Sequence, residues 1–355
     1  MKLSQIGEFG LIKQIRDTFT HPPNKGGREE GVVVGIGDDC AAFKPREGFL
    51  IITTTDALVE HIHFKLDYIK PYQLGIKSIN INLSDIAAMG GIPLYALLSI
   101  AVPPSFSVEF MNEFLKGVKD AADRYKVSVI GGNISSSKND FSIHITIIGE
   151  IEKGHMVLRK GAKAGDRIFV TGWLGDSAAG LEILKRSQMS NVKCQIDKKL
   201  IERHLIPTPR LKEGRFLSIN NLATSMIDIS DGLASDLKRI CEESGVGANI
   251  FTENIPVSEE LKTLTSSQLR TQGSEIRTPL ECALYGGEDY ELLFTVKSEI
   301  VENLKSLWNN NMTSITMIGE VTKGEINLIS KSGSTIPLQR KGYNHFKTGI
   351  QNNAD

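Results

Sequence analysis

Apolar residues recur at helical spacing over 108–125, where Val108, Met111, Phe114, Leu115, Val118, Ala122 and Tyr125 fall on one stripe. Ile76, Ile79, Leu83 and Ala87 predict another helix over 71–89, stopped by Gly90-Gly91 and Pro93. Shorter helical patterns cover 2–19, 177–186, 233–244 and 299–309. Over 141–149 the pattern changes to strict alternation. Phe141, Ile143, Ile145 and Ile147 face one way, and Ser142, His144 and Thr146 the other. That strand has one buried face and one that is wet or meets a partner sheet. Further strands are expected at 32–34, 49–55, 95–102, 127–130, 167–171, 225–229, 290–296 and 315–319. Residues 21–31 read as a loop, and 258–280 as a polar surface insertion.

Strands alternate with helices in both halves, so the fold class is α/β (or α+β). A length of 355 residues favours two domains. The break expected near 150–165 is rich in glycine and carries Lys153, Arg159, Lys160 and Lys163, giving domains 1–150 and 151–355.

Charge narrows the function classes. The 41 basic and 42 acidic residues leave a formal charge of −1, which offers no long-range pull on nucleic acid or an anionic membrane. Cys40, Cys194, Cys241 and Cys282 are too dispersed for a zinc site or a disulfide framework, and suit a reducing cytosol. Met1–Phe9 lacks a signal pattern, and no apolar run is long enough to span a bilayer. A cytoplasmic location is therefore expected.

Candidate chemistry concentrates in short Asp/Gly motifs. Gly35-Ile36-Gly37-Asp38-Asp39 is either a ligand loop or a turn with solvated acids. Thr53-Thr54-Thr55-Asp56 ends an apolar strand with hard oxygen donors suited to Mg²⁺, or Asp56 merely caps the next segment. His61 and His63 alternate downstream without a third soft ligand for zinc. Ser78, Asn82 and Asp85 share one face of the 71–89 helix; taken alone, that is its wet side. Gly131-Gly132 lets backbone approach a ligand closely. In Asp228-Ile229-Ser230-Asp231-Gly232 a strand meets a helix N-terminus, which attracts anions, although Asp231 is also a plain helix cap. Gly286-Gly287-Glu288-Asp289-Tyr290-Glu291 repeats the theme, or is a surface turn. No G-x-x-x-x-G-K-[ST] loop and no protein-kinase motif set occurs. A nucleotide enzyme with this sequence would hold phosphates through metal ions on carboxylates.

Taken together, GEFGLI, GIGDDCA, TTDALVEHIHF, NLSDIAAMGGIP, IGGN, LRKGAKAGD, VTGWLGDSAAGLEIL, PTPRL, IDISDGLASDL, GGEDYELLFTV, IGEV and KGYNHF occur in an order that resembles the thiamine-monophosphate kinase family. The wider group includes aminoimidazole ribonucleotide synthetase and selenophosphate synthetase. The resemblance covers nearly the whole chain. It implies a two-domain synthetase-type fold, with N-terminal domains pairing as a homodimer through a shared β-barrel. It implies transfer of phosphate from ATP to thiamine monophosphate with several Mg²⁺ ions. By matched position, Asp39, Thr54, Thr55, Asp56, Asp85, Asn133, Asp228 and Asp231 would hold metal. Gly131, Gly132, Arg159 and Ser230 would contact ATP, and His63, Glu288 and Tyr343 the thiamine substrate. Asn133 departs from the family pattern, which has Asp there, and Ile134-Ser135 replaces Thr-Thr. The rival readings are an ATP enzyme of the wider group with another acceptor, and a nucleotide-binding protein without catalysis.

Overall fold

The computed structural model describes residues 42–189, 198–264 and 278–338, with positions 2, 5, 11, 14–18 and 32–34 nearer the N-terminus. Two compact units emerge: Met1–Met156 with Leu205–Asn221, and Val157–His204 with Leu222–Asp355.

The first unit opens with β1 (Val32–Val34) and β2 (Ala42–Phe43), a small antiparallel ribbon. Of the helix expected at 2–19, residues 14–18 are helical, and most of the remainder lies outside the described residues. The unit's main sheet has the order β3-β6-β4-β5, built from β3 (Phe49–Val59), β4 (Ile92–Val102), β5 (Ser128–Ser136) and β6 (Ser142–Glu152). Helix α1 (Pro71–Ala88) precedes β4, and α2 (Val108–Tyr125) is the crossover that lets β4 and β5 run parallel. Ile143, Ile145 and Ile147 of β6 are buried together with Leu98 and Ile100 of β4 and the Met111–Phe114–Val118 stripe of α2. Phe141 sits at the end of this core, edge-on to Phe64, Phe110 and Phe114. The opposite face carries Thr53, Thr55 and His144, all exposed.

Two local signals were overridden. Gly131-Gly132 does not end β5, which runs on to Ser136, and Pro93 lies inside β4 rather than before it.

The second unit is a seven-stranded sheet of order β13-β12-β9-β11-β7-β10-β8. In chain order its elements begin with β7 (Arg167–Thr171), α3 (Asp176–Met189) and α4 (Lys198–Leu205). The chain then visits the first unit as α5 (Leu211–Ile219). It returns as β8 (Ser225–Asp228), α6 (Leu233–Ser244), β9 (Gly247–Phe251), α7 (Glu259–Lys262) and α8 (Pro279–Tyr285). The sheet is completed by β10 (Leu292–Val296), α9 (Val301–Leu307), β11 (Ile315–Thr322), β12 (Ile326–Ile329) and β13 (Thr335–Pro337). Its core joins Ile168, Val170, Ile227, Leu237, Ile240, Ile250, Leu293 and Ile318. β8 and β10 are buried at every position, so neither shows the alternation of a strand with one wet face.

The sequence pattern assigns everything after 150 to one domain; the structure gives α5 to the first unit for a physical reason. α5 packs on α1, Asn80 Nδ2 donates to the Pro207 carbonyl at 2.7 Å, and Arg215 pairs with Glu152. Among the described residues no helix is long and apolar enough to cross a membrane.

Candidate functional site

In the first unit, Thr54 and Asp56 share the face of β3 that carries buried Ile52 and Leu58, while Thr53 and Thr55 point to the other side. Helix α1 meets this face. Thr54 Oγ1 donates to Asp85 Oδ2 at 2.5 Å, and the Asp56 amide donates to Asn82 Oδ1 at 2.9 Å. The T-T-T-D strand and the N-L-S-D helix thus form one constellation.

Reading Ser78, Asn82 and Asp85 as a wet face is therefore corrected. Ser78 and Asn82 are 1% and 0% exposed, and only Asp85 is partly open. The reason is that α1 is covered by the sheet, by α2 and by α5, which leaves little of it to water. Asn82 also donates to the Ser78 carbonyl at 3.0 Å, so its amide is spent on fixing α1 and the Asp56 backbone. Its position on the helix face is visible in the sequence; its role is not.

Gly131, Gly132 and Asn133 lie on β5, across the sheet. Asp56 is in register with Ile145, Leu98 and Gly132, and Ala57 with His144, Ser99 and Asn133. Asn133 and Asp56 therefore occupy opposite faces on the two edge strands, three strand spacings or about 14 Å apart. One chain does not bring the two side chains together. Gly132 also has a structural cause: a Cβ there would sit 1.8 Å from the Leu98 carbonyl oxygen. The close approach is to the neighbouring strand.

His63 closes the turn after β3, where its Nδ1 accepts the Val59 amide at 3.0 Å. That bond puts the ring proton on Nε2 and fixes the ring. Asp38, Asp39 and Tyr343 lie outside the described residues.

In the second unit, Asp228 ends β8, opposite Leu292 of β10, and is 3% exposed. The adjoining Ser230–Gly232 loop is organised by a residue that the sequence motifs do not single out. Asp236, 0% exposed in the first turn of α6, accepts the Ser230 and Asp231 amides on Oδ2, both at 3.1 Å. Its Oδ1 accepts from Arg239 Nη1 at 2.8 Å, and Arg239 also pairs with Asp231. Asp231 is thus held by an arginine rather than serving as the helix cap; the cap position is Gly232. Burial pushes Asp236 up to about 7, and the opposing pull of Arg239 and the two amides does not reverse it. A signal exists in the sequence. Asp236 falls on the same stripe as Leu233, Leu237 and Ile240, and a carboxylate on a buried stripe needs a partner.

The Gly286–Glu291 loop is laced to this one. The Glu288 amide donates to the Ser230 carbonyl at 2.8 Å, the Tyr290 amide to Ile229 O at 2.9 Å, and the Ile229 amide to Glu291 O at 2.7 Å. These bonds hold Glu288 and Tyr290 at left-handed φ values of 64° and 51°, which cost about 1 kcal/mol or more each. Tyr290 consequently stands outside β10, although the sequence pattern places it inside. The loop's acids divide by burial. Asp289 accepts the Gly175 amide at 2.8 Å and the Ser177 amide at 3.4 Å, and burial raises its pKa well above the usual carboxylate range. Glu291, 1% exposed, accepts Thr171 Oγ1 at 2.6 Å. Both are structural, whereas Glu288 keeps 27% of its side chain exposed. Arg159 is exposed beside the edge strand β8, since the adjacent Leu158 carbonyl accepts the Met226 amide at 2.9 Å.

Known proteins share sequence and fold with this chain. The AIR synthase related protein N-terminal domain matches residues 37–151, and the C-terminal domain matches 163–331. Thiamine-monophosphate kinase of Bacillus subtilis (strain 168) is 40% identical over 346 residues, covering 96% of this chain and 100% of that one. The crystal structure of thiamine-monophosphate kinase from Stenotrophomonas maltophilia K279a superposes with a TM-score of 0.76 at 30% identity, covering 91% of this chain and 96% of the other. The AaThiL complex with AMPPCP and TMP superposes at 0.72 with 36% identity, covering 98% and 99%. Identity of this extent over both matched domains shows that the chain belongs to the thiamine-monophosphate kinase family.

Proposed function

We propose that this chain transfers the γ-phosphoryl group of ATP to the phosphate of thiamine monophosphate, giving ADP and thiamine diphosphate. The observation that carries the reading is the pair of bonds joining Thr54 to Asp85 and the Asp56 amide to Asn82. They gather hard oxygen donors where β3 meets α1, in a chain whose relative was captured with AMPPCP and TMP.

A phosphate monoester has a second pKa of about 6 and arrives as a dianion, so the nucleophile needs no general base. The barrier is the approach of two polyanions. Mg²⁺ ions, when bound, supply the neutralising charge and align the in-line attack. The donor set fits that ion: Thr54, Thr55, Asp56, Asp85, Asp228 and Asp231 offer only hydroxyl and carboxylate oxygens. Among the described residues no group of three or more His, Cys, Asp or Glu forms a metal site by itself. In the proposed arrangement the holders include hydroxyls and Asp39. Arg159, Ser230, Gly131 and Gly132 are the ATP contacts of this reading, and Arg159 can grip a phosphate bidentately. His63, with its proton on Nε2, donates to the thiamine substrate, which Glu288 and Tyr343 also contact. Appearance of thiamine diphosphate from ATP and thiamine monophosphate is the test.

A homodimer through the exposed face of the β3-β6-β4-β5 sheet belongs to the same proposal. Asn133 and Thr55 share the exposed face but stand on the two edge strands of one chain, whereas a second copy with its β5 along this chain's β3 would bring its Asn133 beside Thr55. Asn133 keeps an oxygen ligand but lacks the charge of Asp, which weakens its ion. Asn133→Asp should therefore lower the Mg²⁺ concentration giving half-maximal rate. A titration showing no change, or an increase, contradicts the metal role of this position. The buried, unbridged Cys241 and Cys282 suit a cytoplasmic setting.

A further inference from the structure

We infer that His204 is a positioning residue that sets the Glu288 carboxylate for the thiamine moiety. The inference rests on the reading of Glu288 as a substrate contact. His204 lies in the last turn of α4 and is 2% exposed. Its Nδ1 is 3.1 Å from Glu288 Oε2 and 3.1 Å from Ser177 Oγ. An ionised Glu288 only accepts hydrogen bonds, so Nδ1 carries the proton and donates. The preceding residue repeats the contact, with Arg203 Nη1 lying 3.8 Å from Glu291 Oε1. Two consecutive basic side chains of one helix thus hold the acids on either side of Asp289, which is itself fixed by the amides at the start of α3.

The main chain of Glu288 is set by its bond to Ser230 O and by a left-handed φ. His204 acts on the direction of the side chain. A carboxylate already aimed loses less freedom on binding a cationic thiazolium ring, so the effect should appear in affinity for thiamine monophosphate and not for ATP.

Steady-state kinetics of His204→Leu, His204→Asn, His204→Gln, Glu288→Gln and the His204→Leu/Glu288→Gln double variant test this. His204→Leu should raise KM for thiamine monophosphate about tenfold, with KM for ATP within about twofold. Asn places an amide N–H near the position of Nδ1 and should recover most of the loss, whereas Gln, reaching towards Nε2, should not. The double variant should bind thiamine monophosphate no worse than Glu288→Gln alone. If Glu288→Gln leaves that KM unchanged, the reading of Glu288 fails. If Glu288→Gln raises it but His204→Leu moves both KM values alike, or neither, or Asn gives no rescue, the role of His204 is overturned.

Discussion

Asp85→Asn should lower turnover by about two to three orders of magnitude while leaving the melting temperature within about 2 °C of the parent. The asymmetry comes from the geometry. An Asn oxygen can still accept the Thr54 hydroxyl bond that Asp85 Oδ2 accepts at 2.5 Å, so the junction between β3 and α1 survives. What is lost is the negative charge, which a hydroxyl donor does not require and a cation does. Asp56→Asn should behave similarly, because Asn82 grips its backbone and not its carboxylate. Steady-state rates across a Mg²⁺ titration, paired with thermal melts, measure both halves. Near-normal turnover at ordinary Mg²⁺ would remove these residues from the metal-holding set.

Arg239→Leu should destabilise the second unit by about 3 kcal/mol near pH 8, and by less near pH 5. The figure sits at the low end of the range for a broken buried pair because Arg239 is itself 39% exposed while Asp236 is 0% exposed. The sign comes from linkage. Asp236 titrates at about 7 in the folded protein against 3.8 as the ordinary value. Across that window the folded state keeps a proton that the unfolded state has released, so this group's contribution to stability falls as pH rises and is constant above it. Removing Arg239 takes away a pull that lowers the pKa, so the window extends upward and the deficit grows between pH 5 and 8. Urea unfolding at pH 5, 6.5 and 8 reads the effect. A loss independent of pH would mean that Arg239 acts by packing alone.

The parts of the fold legible in the sequence are those with one neighbour per face. The alternation in β6 and the stripe of α2 survive because each element has a single buried side. Helix α1 loses its pattern because three elements pack on it, and its polar residues become internal hydrogen-bonding groups rather than a wet face. β2, β9, β12, β13, α4, α5, α7 and α8 fall outside the elements that the pattern predicts; all are short, two to nine residues each.

The candidate site shows the same division. Its acidic motifs stand out as local Asp/Gly runs, so Asp56, Asp85, Asp228 and Asp231 can be named from sequence. Their holders cannot. Asn82 and His204 act on residues brought near by the fold, while Asp236 and Arg239 act on the loop just before their own helix; Asn82 leaves only its place on a helix face and Asp236 only a charge on an apolar stripe. Nor can the run Glu288-Asp289-Tyr290-Glu291 reveal which acid faces outward. That choice is made by Gly175, Ser177 and Thr171, more than a hundred residues earlier.

The most direct test of the proposed reaction is product analysis with the purified chain, ATP, thiamine monophosphate and Mg²⁺. ADP and thiamine diphosphate should form in equal amounts, and both should disappear when thiamine monophosphate is omitted, when Mg²⁺ is chelated, or when thiamine without its phosphate is supplied instead. ADP released at the same rate without thiamine monophosphate, or ADP with no thiamine diphosphate, would contradict a phosphoryl transfer between two phosphates at this site.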